Sequence, residues 1–133
     1  MKAFHIEIVT PDGLAYSGEI ESVLVRTTDG DVEILAGHTD LLASVATGRA
    51  RIVVGGKTRF AAVSGGFLSV HSGEVKLCAI TFEFADEIDI NRAKEAKEKA
   101  EALISAANDE RSVRIAKAKL SRAVSRLDVA TTK

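Results

Sequence analysis

The sequence predicts a β + α fold: an N-terminal antiparallel β-sandwich or barrel over residues 1–84, then a C-terminal antiparallel two-helix hairpin over residues 85–133. Three observations predict it. Before about residue 85 the chain is rich in β-branched residues and punctuated by glycine; after it, Ala, Lys, Glu and Arg dominate and neither Gly nor Pro occurs. The first part alternates apolar and polar residues between turn signals, the mark of half-buried strands. The second part repeats apolar residues at 3-4 spacing, the mark of amphipathic helices.

Along the first part, Phe4, Ile6 and Ile8 alternate with His5 and Glu7 as in a strand with one buried face. Pro11-Asp12-Gly13 follows as a turn, because proline presets φ and glycine accepts positive φ. Val23 and Val25 alternate with Leu24 and Arg26, and Asp29-Gly30 turns the chain into Val32-Glu33-Ile34. Ile52-Val53-Val54, Gly55-Gly56 and Lys57-Thr58-Arg59-Phe60 form a two-residue hairpin signal. Ser72-Gly73 separates Phe67–Val70 from Val75–Ile80 in the same way. Short strands at this spacing indicate an antiparallel sandwich or barrel.

In the second part, Ala93, Ala96, Ala100, Leu103 and Ala107 form one apolar seam. Val113, Ala116, Leu120, Ala123, Leu127 and Ala130 form another. Between them Asn108 and Asp109 are candidate N-caps, and Glu110 favours the positive end of the second helix. The short connection predicts an antiparallel hairpin. Its seams are mostly alanine. A buried Leu contributes roughly 1.5–3 kcal/mol and an alanine methyl closer to ~0.8 kcal/mol, so the docking energy is modest. Spacing alone leaves open whether the hairpin is permanently tight or opens under a small bias.

Composition excludes several functions. At 133 residues and 46% hydrophobic, the chain fits one ordinary domain, or a core with a small appendage. No run approaches the ~20 apolar residues of a membrane span. Met1-Lys2-Ala3-Phe4 leads directly into His5 and Glu7 without a leader-like pattern, so a cytoplasmic, soluble chain is expected. The single Cys78 rules out an internal disulfide and reads as a small strand hydrophobe. A net charge of −1, with five Phe, one Tyr and no Trp, gives no case for nucleic acid. The charge is unevenly spread, however. Residues 85–133 hold 11 Lys+Arg against 9 Asp+Glu, whereas residues 1–84 hold 7 against 10. His5, His38 and His71 are scattered without metal-ligand spacing, and there is no phosphate loop or nucleophile elbow. Neither a catalytic group nor a catalytic cofactor is indicated.

Three local motifs, taken with the strand-then-hairpin organisation, carry a resemblance. They are Val9-Thr10-Pro11-Asp12-Gly13, Gly37-His38 and Ser64-Gly65-Gly66-Phe67-Leu68-Ser69-Val70. In order and over the full length, the chain resembles the epsilon subunit of bacterial F-type ATP synthases. Two departures stand out: Ala36 and Asp40 occupy positions flanking Gly37-His38 where that family usually has proline. The resemblance places the Gly37-His38 loop near the membrane rotor ring and the gamma subunit.

Ile88-Asp89-Ile90-Asn91-Arg92-Ala93 is similar to the signature of epsilon subunits that bind ATP. The resemblance implies ATP as a regulatory ligand, with Glu83, Ile88, Asp89 and Ala93 on the adenine side. Arg92, Arg122 and Arg126 would face the phosphates, and Lys99 stands where such relatives often have arginine. Guanidinium forks suit phosphate oxygens; a lysine is a point charge without the fork. Spacing is compatible, since Arg92 and Lys99 lie nearly two turns apart and Arg122 and Arg126 form an i,i+4 pair. Antiparallel pairing would then let all four cations converge.

What the resemblance implies is a non-catalytic rotor subunit. Its partners would be the gamma subunit, the membrane ring and the alpha/beta catalytic hexamer, with membrane association indirect and at the cytoplasmic face. The hairpin would inhibit hydrolysis when extended and permit it when folded with ATP. Arg111, Arg114, Lys117, Lys119 and Arg122 would suit acidic surfaces on the beta subunits. The alternative is a purely structural coupling subunit that does not bind nucleotide; a weaker one is a free-standing sandwich whose hairpin binds another partner.

Overall fold

The computed structural model describes residues 2–131. The first four strands are β1 (Phe4–Thr10), β2 (Gly13–Ile20), β3 (Ser22–Thr27) and β4 (Gly30–Leu35). The next three are β5 (Leu41–Ser44), β6 (Gly48–Val54) and β7 (Lys57–Ser64). β8 (Phe67–His71), β9 (Glu74–Cys78) and β10 (Thr81–Phe84) complete the set. They make two five-stranded sheets, here called the A sheet, ordered β2-β1-β9-β8-β5, and the B sheet, ordered β10-β7-β6-β3-β4. The expected antiparallel character holds throughout except that β1 runs parallel to β9, with Ile6 beside Val75 and Ile8 beside Leu77. Local patterns could not reveal this pairing, because it joins the first strand to one some seventy residues later.

The alternation read from the sequence becomes the core. Ile6, Ile8, Val23, Ile52, Leu68 and Leu77 are all fully buried between the sheets. Gly55 and Gly56 both take positive φ, 56° and 78°, as a two-residue turn that matches strand twist requires. Gly66 has a different reason to be glycine. Its φ is +98°, and a Cβ there would sit 1.8 Å from the Cys78 carbonyl oxygen.

A 3-10 turn, Ala85–Glu87, carries the chain from β10 towards the helices α1 (Ile90–Ala106) and α2 (Glu110–Thr131). The turn is held in place by Arg59. Its guanidinium lies 3.6 Å from the centre of the Phe84 ring and pairs with Asp86 at 3.5 Å. The helices pack on each other, and α2 packs on β7 and β6. Along the seams Ala93 and Ala100 of α1 and Ala116 and Ala123 of α2 are buried, as the spacing predicts. Leu103 is not: it is 48% exposed, close to the hairpin tip. Conversely Val129, outside the predicted seam, is fully buried against Ala62 and Ile88, with Phe60, Ala85 and Ala130 around it. The helix-to-helix seam and the helix-to-sheet face are different faces of α2.

At the hairpin tip Asp109, not Asn108, caps α2. Its carboxylate accepts from the Ser112 N–H at 2.8 Å and from the Ser112 hydroxyl at 3.0 Å. Those bonds, the backbone one foremost, hold its carboxyl below the ordinary value of 3.8. A carboxylate depressed in the folded state contributes stability above its unfolded value and loses it as pH falls through the folded one. Acidification below about pH 4 is therefore expected to fray the first turn of α2. Far-UV circular dichroism checks this, with Asp109→Asn, which still caps but does not titrate, showing a smaller acid-dependent loss of helix.

Candidate functional site

Where the hairpin meets the sandwich lies an open cleft of about 530 Å³. Three parts of the chain wall it. The β1–β2 turn supplies Thr10 and Asp12; the chain from Ile80 through Glu83 supplies the sheet side; and Glu87, Asp89, Arg92, Ala93, Ala96 and Arg126 supply the helical side. The parallel pairing of β1 with β9 brings the first of these walls to the other two, since it places the end of β1 beside Cys78, two residues before Ile80.

Within the cleft the charges are already organised. Arg126 of α2 donates towards Glu83 of β10, Nε to Oε1 at 3.3 Å, and this pair bridges hairpin and sheet. Both groups are about a third exposed, so the pair contributes at most ~1 kcal/mol. Asp89 is the N-cap of α1: its Oδ1 accepts from the Arg92 N–H at 3.1 Å. The cap fixes the start of α1, whose first two turns bring Arg92, Ala93 and Ala96 to the cleft. Two guanidiniums and four carboxylates (Asp12, Glu83, Glu87 and Asp89) thus share one opening.

Of the residues nominated from the sequence, Glu83, Asp89, Arg92, Ala93 and Arg126 line this cleft together. Ile88 lies apart, 9% exposed in the cluster with Ala62 and Val129. Arg122 lines a narrow crevice beside Ala62, Ser64 and Thr81 that it shares with Arg126. Lys99 is exposed and does not line the cleft. The expected convergence of four cations is therefore a convergence of two. Seven residues return Lys99 to nearly the same face of α1 but carry it about 10 Å further along the axis. Thr10, Asp12 and Thr81 were not nominated; Thr10 and Asp12 were visible as a turn, but nothing local tied that turn to the helices.

The Gly37-His38 segment lies elsewhere, in the β4–β5 loop. Gly37 has φ +82°, and the His38 ring nitrogen Nδ1 donates to the Thr39 carbonyl at 2.6 Å. The two departures from the proline pattern each have a local partner. Ala36 packs against the sandwich core. Asp40 accepts from the Ser72 N–H at 3.1 Å and meets His71 Nδ1 at 3.1 Å, tying the β4–β5 loop to the β8–β9 turn.

Comparison with known proteins gives consistent matches along the chain. The family described as ATP synthase, Delta/Epsilon chain, beta-sandwich domain matches residues 3–85. The family described as ATP synthase, Delta/Epsilon chain, long alpha-helix domain matches residues 86–131. The ATP synthase epsilon chain of Bacillus velezensis is 45% identical over 130 residues, 98% of each chain. That of Bacillus pumilus is 42% identical over the same share. Among solved structures, a chain of the Euglena gracilis mitochondrial ATP synthase (OSCP/F1/c-ring) superposes with a TM-score of 0.81 at 25% identity, covering 98% of this chain and 82% of that one. A chain from the central stalk and c-ring of the Tetrahymena thermophila enzyme shares the fold, with a TM-score of 0.66 at 15% identity and 96% of each chain covered.

Proposed function

We infer the mechanism from one premise: this chain belongs to the ATP synthase delta/epsilon chain family, as a central-stalk subunit of an F-type ATP synthase and not the catalytic one. Its own role is then non-catalytic. The sandwich couples rotation by binding the gamma subunit and the membrane ring, and the hairpin regulates hydrolysis in the alpha/beta hexamer. No helix among the described residues is long and apolar enough to cross a membrane, so attachment to the cytoplasmic face of the membrane runs through those partners.

The observation that carries the regulatory part is the cleft that unites Glu83, Asp89, Arg92, Ala93 and Arg126. In this reading ATP enters with its purine against Ala93 and its exocyclic amine towards Glu83 and Asp89. Arg92 and Arg126 take phosphate oxygens through charge-assisted bonds, Arg126 exchanging its Glu83 partner for the ligand. Because α1 and α2 both contribute, a bound nucleotide ties the two helices to the sheet and favours the folded hairpin.

The magnitudes are commensurate. The hairpin's apolar anchorage on the sheet centres on Val129, a side chain whose burial is worth roughly 1.5–3 kcal/mol. A ligand at about 100 times its dissociation constant adds ~2.7 kcal/mol. Complete inversion of a 1:99 population needs about 5.5 kcal/mol, so ATP shifts the hairpin by degrees. That behaviour suits a sensor of energy state.

One observation favours the alternative of a coupling subunit without nucleotide: carboxylates outnumber guanidiniums in the cleft by four to two. Calorimetry of the isolated chain separates the readings. Saturable heat with ATP, and weaker binding of ADP, is expected. No heat at millimolar ATP would remove the sensor and leave the rotor role standing.

A further inference from the structure

The β1–β2 turn brings into the cleft a carboxylate that no contact within the protein explains. Glu83 is held by Arg126, and Asp89 accepts from the Arg92 N–H. Among the described residues the Asp12 side chain makes neither a hydrogen bond nor an ion pair, although it lines the same cleft as two guanidiniums. Glu87 is also without a partner among them, but it belongs to the helical wall, beside Asp89 and Arg92. Asp12 stands on a wall of its own with Thr10.

The turn that carries Asp12 is held from several sides. Pro11, the chain's one proline, fixes φ just before it, and Gly13 just after it takes φ +119°. Thr10 Oγ1 accepts from the Asp12 N–H at 3.2 Å. The Val9 carbonyl accepts from the Ala79 N–H at 2.9 Å, which anchors the end of β1 to the chain entering the sheet side of the cleft. A ligand meeting Asp12 therefore meets a group already in place, and little ordering is lost on binding.

A fixed carboxylate without a partner sorts a nucleotide by its chemistry. It repels the triphosphate, whose place is at Arg92 and Arg126. It accepts hydrogen bonds from neutral donors, and an adenine nucleotide offers two kinds. One is the base amine, which Glu83 and Asp89 face. The other is the pair of ribose hydroxyls, which carboxylates also hold in dinucleotide-binding folds.

We propose that Asp12 reads the sugar of the bound nucleotide, its carboxylate accepting from the ribose 2′- and 3′-hydroxyls. This rests on the nucleotide reading of the cleft. Thr10 is then a positioning residue, and the β1–β2 turn becomes a third point of attachment beside α1 and α2. The surplus of carboxylates over guanidiniums is in part a ribose site.

Calorimetric titration of the unaltered chain with ATP and with 2′,3′-dideoxy-ATP, which keeps the base and the triphosphate, tests this. ATP is expected to bind at least roughly tenfold more tightly, the equivalent of about 1.4 kcal/mol. In Asp12→Ala the two nucleotides should bind within about threefold of each other. The dideoxy nucleotide should bind the variant no more weakly than the unaltered chain, because a negative charge near the triphosphate is gone. Equal loss of affinity for both nucleotides would give Asp12 a purely structural role in the turn and overturn the proposal. Equal binding of both by the unaltered chain would overturn it too, and would leave ATP binding itself standing. No heat with either at millimolar concentration would remove the nucleotide reading and the proposal together, a result distinct from the other two.

Discussion

Gly66→Ala is expected to destabilise the sandwich by at least ~3 kcal/mol, lowering its melting temperature by roughly 10–20 °C. Two independent costs combine. The backbone at Gly66 has φ +98°, a conformation that side-chain-bearing residues rarely adopt. The added Cβ would also fall 1.8 Å from the Cys78 carbonyl oxygen and 2.9 Å from the Ala79 Cα. Those atoms are main chain, on the segment that runs from β9 towards the cleft, so relief requires moving β8 away from β9. Gly66 also accepts from the Val45 N–H at 2.9 Å, and displacement would break that bond. Gly55→Ala is the control: its φ is +56° but no atom lies within 4 Å of its Cβ. It should cost about 1 kcal/mol. Thermal denaturation of the two variants checks the contrast.

Arg126→Ala is expected to weaken ATP binding roughly 10–100-fold, the equivalent of one charge-assisted hydrogen bond at about 1.5–3 kcal/mol. Arg126 is singled out because it joins α2 to the sheet side of the cleft through a charged pair that a phosphate can replace. Lys99→Ala, by contrast, should change affinity less than about threefold, because Lys99 is exposed and outside the cleft. Calorimetric titration of both variants reads the difference. Equal losses would mean that the phosphates extend along α1 towards Lys99 and not across to α2.

The strands were legible because burial on one face leaves a period of two, as in Phe4, Ile6 and Ile8. The two helices were legible from Ala93 and Ala100 facing Ala116 and Ala123. What local patterns could not carry was how distant pieces meet. Val129 gave no signal, because its partners Ala62 and Ile88 lie in a strand and a connector far earlier in the chain. Asp12 read only as a turn residue until the parallel register of β1 and β9 set that turn beside Ile80. Lys99 shows the converse: angular position on a helix is readable from spacing, but the point along the axis where the sheet ends is not. Resemblance supplied Glu83 and Arg126 separately, and only the fold makes them an ion pair at 3.3 Å.

The most direct test is hydrogen exchange of the isolated chain with and without ATP. If triphosphate in this cleft draws α1 and α2 onto the B sheet, amides of both helices should exchange roughly 100-fold more slowly at 100 times the dissociation constant, with β8 and β9 little changed. Helix amides that exchange at the same rate with millimolar ATP as without it would contradict the account.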